Sequence, residues 1–139
     1  MAFRGWIFAL GAPAVLALAL LAAPGGAQEL DEGELMNRMV TAYKDIVEML
    51  LLFPVQESGD EAPFGKVEKR LSEIAETARL LPALENYKKD NSFRGFAKSL
   101  ENLAGELTAL AKKKDQAASA SALSRLQAAC LNCHKNFRF

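Results

Sequence analysis

Cys130-Leu131-Asn132-Cys133-His134 lies five residues from the end of a 139-residue chain and holds both of its cysteines and its one histidine. Cys-x-x-Cys-His is the spacing by which a c-type haem is attached: two thiols add across the porphyrin vinyl groups, and the next residue offers an imidazole to the iron. On a helix, Cys130, Cys133 and His134 fall within an arc of about 100°. Three donors on one helix face can therefore reach one macrocycle. Other uses of this spacing fit less well. Dithiol redox pairs usually sit at a strand-to-helix turn, and no strand pattern surrounds this one. A structural zinc site mostly needs four Cys or His ligands, one more than the chain owns. A plain disulfide leaves the adjacent histidine unexplained.

Working outward, residues 1–27 read as a secretory signal peptide. Arg4 supplies the positive start, an apolar run from Trp6 to Ala23 follows, and Gly25 and Ala27 suit cleavage before Gln28. The run approaches the roughly 20 residues of a spanning helix, so a retained membrane anchor is the competing reading. Acidic residues rather than Lys or Arg follow the run until Arg38, which favours cleavage. Export places the mature chain, residues 28–139, in the periplasm, where the bacterial thioether-forming machinery works and cysteines are not kept reduced by the cytosol. That length suits one domain. With 17 basic and 17 acidic residues the chain is formally neutral, which gives no support for nucleic-acid binding.

Four amphipathic helices are expected between the leader and the motif. The first covers about residues 31–53, with Leu35, Met36, Met39, Val40, Tyr43, Ile46, Val47, Leu50 and Leu51 recurring at helical spacing. Pro54 ends it. The second covers about 63–81, with Pro63 near its start and a stripe of Phe64, Val67, Leu71, Ile74, Ala75 and Ala78. Pro82 stops it, and a linker over 83–91 carries Tyr87. The third begins with Asn91 or Ser92 as N-cap and runs to about Lys113 on a heptad stripe of Phe93, Phe96, Leu100, Leu103, Leu107 and Leu110. The fourth starts at Asp115 and carries the motif in its last turns. Short connections imply an all-α, antiparallel up-down-up-down four-helix bundle with covalent haem near the C-terminus. That topology sets the end of helix four beside the start of helix one. The expected pocket is Met36, Met39, Val40 and Tyr43, then Leu80, Leu81 and Leu84, then Phe93, Phe96 and Ala97, with Leu126 and Ala129 completing it.

The stretch Ala129-Cys130-Leu131-Asn132-Cys133-His134-Lys135-Asn136-Phe137-Arg138, together with Leu35-Met36 and the Phe-rich third helix, resembles the class II cytochromes c, the family of cytochrome c prime and its low-spin relatives. Their motif lies near the C-terminus, with an aromatic three after the histidine and then Arg. The chain departs from them in its short tail after His134 and in a linker bearing Tyr87 only, which puts the loop packing in question. The resemblance implies one covalent haem c, His134 as the proximal iron ligand, and homodimers through helices one and two, although no exposed stripe in the sequence marks that face.

The second axial side divides such proteins. A methionine from helix one makes the iron six-coordinate and suits electron transfer; a non-ligating residue leaves it open to NO or CO. By resemblance Met36 is the expected distal ligand, with Met39 second; both can also be read as core gap-fillers. Thioether ligation raises the reduction potential. Phe137 is read as packing against the haem or imidazole or as ordinary core, Tyr43 as lining the distal pocket or as core, and Arg138, with Arg125 and Lys98, as a partner for a haem propionate or a solvent-exposed cation. The expected function is a periplasmic monohaem electron carrier exchanging electrons with redox proteins. The alternative is a five-coordinate NO/CO-binding haem protein, and a haem-free bundle with a cysteine clip is the third reading. With His134 committed to iron, no base–nucleophile constellation suggests an enzyme, and membrane contact is expected only if residues 1–27 are retained.

Overall fold

The computed structural model describes residues 31–52 and 63–137. The leader read over 1–27, the helix stop at Pro54 and the site candidate Arg138 lie outside them. The first helix, α1 (Glu32–Val47), opens under Asp31, whose Oδ1 accepts from the backbone N–H of Gly33 at 2.8 Å and of Glu34 at 3.4 Å. Glu32 and Glu34 in that first turn face the positive end of the helix dipole. It continues into a wider π-helical turn, Glu48–Leu52. Helix α2 (Phe64–Leu80) starts directly after Pro63, which has no N–H to lose. The chain then tightens into a 3₁₀ turn, Leu81–Ala83, around Pro82.

From there the linker is a train of turns. The N–H of Leu84 bonds to Leu81 O, that of Tyr87 to Leu84 O, and that of Asp90 to Tyr87 O, at 3.1, 3.0 and 2.8 Å. Helix α3 (Asn91–Lys112) is capped by Asp90 rather than by Asn91 or Ser92. The Asp90 backbone is extended, and its Oδ1 takes the N–H of Phe93 at 2.9 Å; the acid one residue earlier meets the N3 donor that the other two side chains would miss. The end of α3 is closed by Lys114 at φ 56°, with Lys114 N bonded to Ala111 O and Asp115 N to Leu110 O. This Schellman closure usually employs glycine. Helix α4 (Gln116–Phe137) follows at once, with Asp115 Oδ1 accepting from Ala118 N at 3.0 Å.

Side-chain pairs mark the topology. Arg70 meets Asp45 at 2.6 Å, Arg79 meets Glu101 at 2.8 Å, and Arg125 meets Glu106 at 2.6 Å, so each consecutive pair of helices runs antiparallel. The Gln116 amide donates to Leu50 O, which ties the start of α4 to the end of α1. Such exposed ion pairs contribute little, about 0–1 kcal/mol each; they record the arrangement that the core imposes. That core includes Ile46 and Leu50, Val67 and Leu71, Leu81, Leu107, Leu123 and Leu126, all essentially without solvent contact. Each stabilises by about 1.5–3 kcal/mol relative to an exposed position. Small buried residues, among them Ala104, Ala111, Ser119 and Ala122, let helices approach closely.

Some expectations change. The α1 stripe divides: Leu35, Ala42, Ile46 and Leu50 enter the core, whereas Met36, Met39 and Tyr43 stay half-buried and Val40 is 45% exposed. Leu80, expected in the haem pocket, is exposed, because the chain turns into the 3₁₀ segment and points Leu81 inward instead. Thr77 is buried on α2 because its hydroxyl donates to Glu73 O at 2.7 Å and so carries its own acceptor inward.

Two tests follow from this packing. Ser119 Oγ is buried without a hydrogen-bond partner among the described residues. Ser119→Ala removes that unpaired hydroxyl and should raise stability by about 1 kcal/mol, read as a higher urea midpoint at unchanged slope. Glu101 is held below the usual carboxylate range by hydrogen bonds from Arg79 and then Lys98. A lowered folded-state pKa gives stability that is present above the unfolded value and lost as pH falls through the folded one. Glu101→Gln should therefore flatten the acid side of the stability curve, below about pH 4, in melts recorded across that range.

Candidate haem site

Helices α1 and α4 close on each other only at the Gln116–Leu50 end; toward the motif a groove lies between them. One cavity of about 330 Å³ is walled by Met36, Met39, Val40 and Tyr43 of α1 and by Cys130, Leu131, Cys133 and His134 of α4. Leu81 and Leu100 form its apolar floor, and Lys44 and Gln127 stand at its edge. A second cavity, of about 460 Å³, adjoins it toward the start of α1 and is lined by Glu32, Gly33 and Asn37, with Phe93 and Phe137 behind. Met36, Val40, Cys133 and His134 border both, so the two spaces meet at those residues.

Burial sets the electrostatics of the wall. It pushes the Cys130 thiol above its ordinary value, with the nearby Cys133 adding to the effect, and raises Cys133 as well. Both therefore stay protonated at neutral pH. The Tyr43 phenol is raised by burial and then by the charge of Cys130, which places it beside the first attachment cysteine. A long, apolar trough with two thiols and one imidazole in one wall and a thioether facing them fits a flat iron porphyrin. Lys44 and Gln127 supply a polar rim for its carboxylates.

Behind His134 lies an aromatic cluster. Tyr87 stacks on Phe93 with ring centroids 4.1 Å apart and planes 13° from parallel. Phe137 presents its edge to Phe93 at 5.1 Å, to Phe96 at 5.7 Å and to Tyr87 at 5.8 Å. Edge-on and offset pairs of this kind contribute about 0.5–1.5 kcal/mol each beyond their buried area. One turn after His134, Phe137 thus ties the motif-bearing helix to α3 and to the linker, and keeps water from the rear of the pocket.

The expected residues distribute as follows. Cys133 is buried, and Cys130, His134, Met36, Met39 and Tyr43 are half-buried on the groove. Phe93 and Phe137 line the second cavity, whereas Phe96 packs on Phe137 instead of on the cavity wall. Leu84, Ala97 and Leu126 belong to the core; Leu100 and Gln127, each close by in sequence, take the wall positions. Arg125 and Lys98 line neither cavity and pair with acids. Arg125 is held by both oxygens of Glu106, and Lys98 pairs with Glu101 at 2.7 Å. Tyr87 and Glu32 were not singled out by sequence reasoning as site residues. Tyr87 interrupts a polar linker, the one local sign that its ring has somewhere to go.

The family model of cytochrome C′ matches residues 64–138, from the first turn of α2 through the attachment motif and more than half of the chain. Comparison with curated proteins returned no match, and neither did comparison with solved structures. Among the described residues no helix is long and apolar enough to cross a membrane. The groove's donors and the family match agree on one cofactor, and the chain belongs to the cytochrome C′ family of haem c proteins.

Proposed function

We propose that this cytochrome is an exported electron carrier whose haem iron is held between His134 and Met36. When bound, the cofactor supplies an iron that accepts and releases one electron. Everything else is done by the chain. Cys130 and Cys133 fix the porphyrin covalently, His134 presents its imidazole from the same helix face, and the walls keep water away from the metal. A low-polarity site with a thioether ligand favours the reduced, less charged iron and so a higher potential.

The observation that carries this reading is the position of Met36. Of the four residues bordering both cavities, two come from α1, Met36 and Val40, and only Met36 has an atom that can ligate iron. Met39 borders one cavity alone. The exposed Val40 and the 62% exposed Leu131 flank the groove mouth, giving an apolar rim through which a redox partner protein can approach the haem edge. Export across the cytoplasmic membrane rests on the leader pattern of residues 1–27 and on the site of thioether formation.

The test is an absorption spectrum of the purified protein in both oxidation states. The ferric form should be six-coordinate and low-spin, and the ferrous form should take up CO slowly. Met36→Ala should convert it to a high-spin form with rapid CO uptake, while Met39→Ala leaves it low-spin. A high-spin parent would replace the electron-carrier reading with gas binding. His134→Ala should keep the thioethers but shift the Soret band, and an unshifted band would remove His134 from the iron.

A further inference from the structure

The two cavities of the haem groove carry opposite charge. The first has a cation, Lys44, at its edge. Among the described residues no Lys or Arg lines the second, and its carboxylate is Glu32, which shares that wall with Met36, Cys133, His134 and Phe137. Elsewhere in the bundle acids are matched by cations: Asp45 and Glu73 by Arg70, Glu101 by Arg79 and Lys98, Glu106 by Arg125. Glu32 makes no ion pair among the described residues.

The helix dipole favours an acid in the first turn of α1, but it does not require that acid to face the cavity. Glu34 sits in the same turn, is exposed and lines neither cavity. Glu32 is half-buried. It precedes Met36 by four residues, one turn on the same face and about 6 Å along the helix axis. An iron held between Met36 and His134 would stand on the order of 10 Å from its carboxylate. Ferric iron carries one more positive charge than ferrous iron, so a fixed anion at that distance stabilises the ferric form more. One unit charge at about 10 Å, with an effective dielectric of about 20, shifts such an equilibrium roughly tenfold, or about 59 mV for one electron.

We infer that Glu32 is a charge built into the haem pocket that lowers the reduction potential of the iron, opposing the rise that thioether ligation brings. Its role rests on the electron-carrier reading, for which the potential is the property that matters; its geometry needs only a haem seated between α1 and α4. Glu32 acts through space on the balance of ferric and ferrous iron and leaves the coordination number alone. The surrounding wall of Met36, Val40, Phe93 and Phe137 keeps the screening of that charge below what bulk water gives. Lys44 is two helical turns beyond Met36, at the edge of the other cavity, where the haem carboxylates offset it.

The experiment is a spectroelectrochemical titration of the haem-loaded protein, with the ferric spin state recorded alongside. Glu32→Gln should raise the ferrous-to-ferric ratio at a fixed potential roughly tenfold, and Glu32→Lys, a change of two charges, roughly a hundredfold. Both should keep the spin state of the parent. Glu34→Gln loses the same dipole interaction away from the cavity and should stay within about twofold of the parent. The gap between parent and Glu32→Gln should narrow as salt is added, as a charge effect must. Ratios within about twofold of the parent in both Glu32 variants, at unchanged spin state, would overturn the inference and leave the electron-carrier reading standing. An equal shift in Glu34→Gln would overturn it by assigning the effect to the helix terminus. A shift accompanied by a change of spin state would overturn it by giving Glu32 a structural role. A high-spin parent whose ratio still rises in Glu32→Gln would keep the charge effect and remove the electron-carrier reading.

Discussion

Two helices of this bundle have to stand apart while the others close. Helices α1, α2, α3 and α4 pack in sequence order, and Gln116 binds the end of α1 to the start of α4. Toward the attachment motif the α1 and α4 surfaces diverge and leave apolar side chains facing a gap. Met36, Met39, Val40 and Tyr43 would all be better covered in a bundle that closed fully. The cost of leaving them open is offset only if something apolar fills the space. The wedge is thus the constraint from which the room for the cofactor and the exposed rim follow. Without it the same four helices would make an ordinary core.

The rear of the pocket answers a second demand. A small domain has limited apolar area with which to hold a rigid frame, yet a haem ligand must be held in place for its iron to keep one coordination number. Here one cluster of four rings joins the linker, α3 and the last turn of α4. Phe137 is its centre, so the turn that offers His134 is fixed by the packing of the residue three positions on. Stability and function share the same contacts at this end of the molecule. At the opposite end, small side chains and aliphatic residues pack with no comparable duty.

Much of this could be read along the chain. The helices show themselves by repeating apolar residues, because each buries one face only. Details that depended on local chemistry were less visible. Asp90, not Asn91 or Ser92, caps α3, since the cap belongs to whichever oxygen reaches the N3 amide. Leu80 looks like a pocket residue until the turn at Pro82 directs Leu81 inward. Lys98 and Arg125 look like free cations near a haem, but acids on their own or the facing helix claim them. Each of these details concerns direction around a helix or the particular partner a side chain meets, neither of which composition records.

By itself the sequence determined the fold class, the covalent cofactor and the face that bears it. Those depend on spacing alone: period 3.6 for the helices, and three donors within one arc for the motif. By resemblance it also ranked Met36 ahead of Met39 as the expected distal donor. The tertiary structure sets Met36 at the junction of two cavities and Met39 on one. Met36 and His134, far apart in the chain, border the same cavities because the helix packing places them together, and no local rule carries that information.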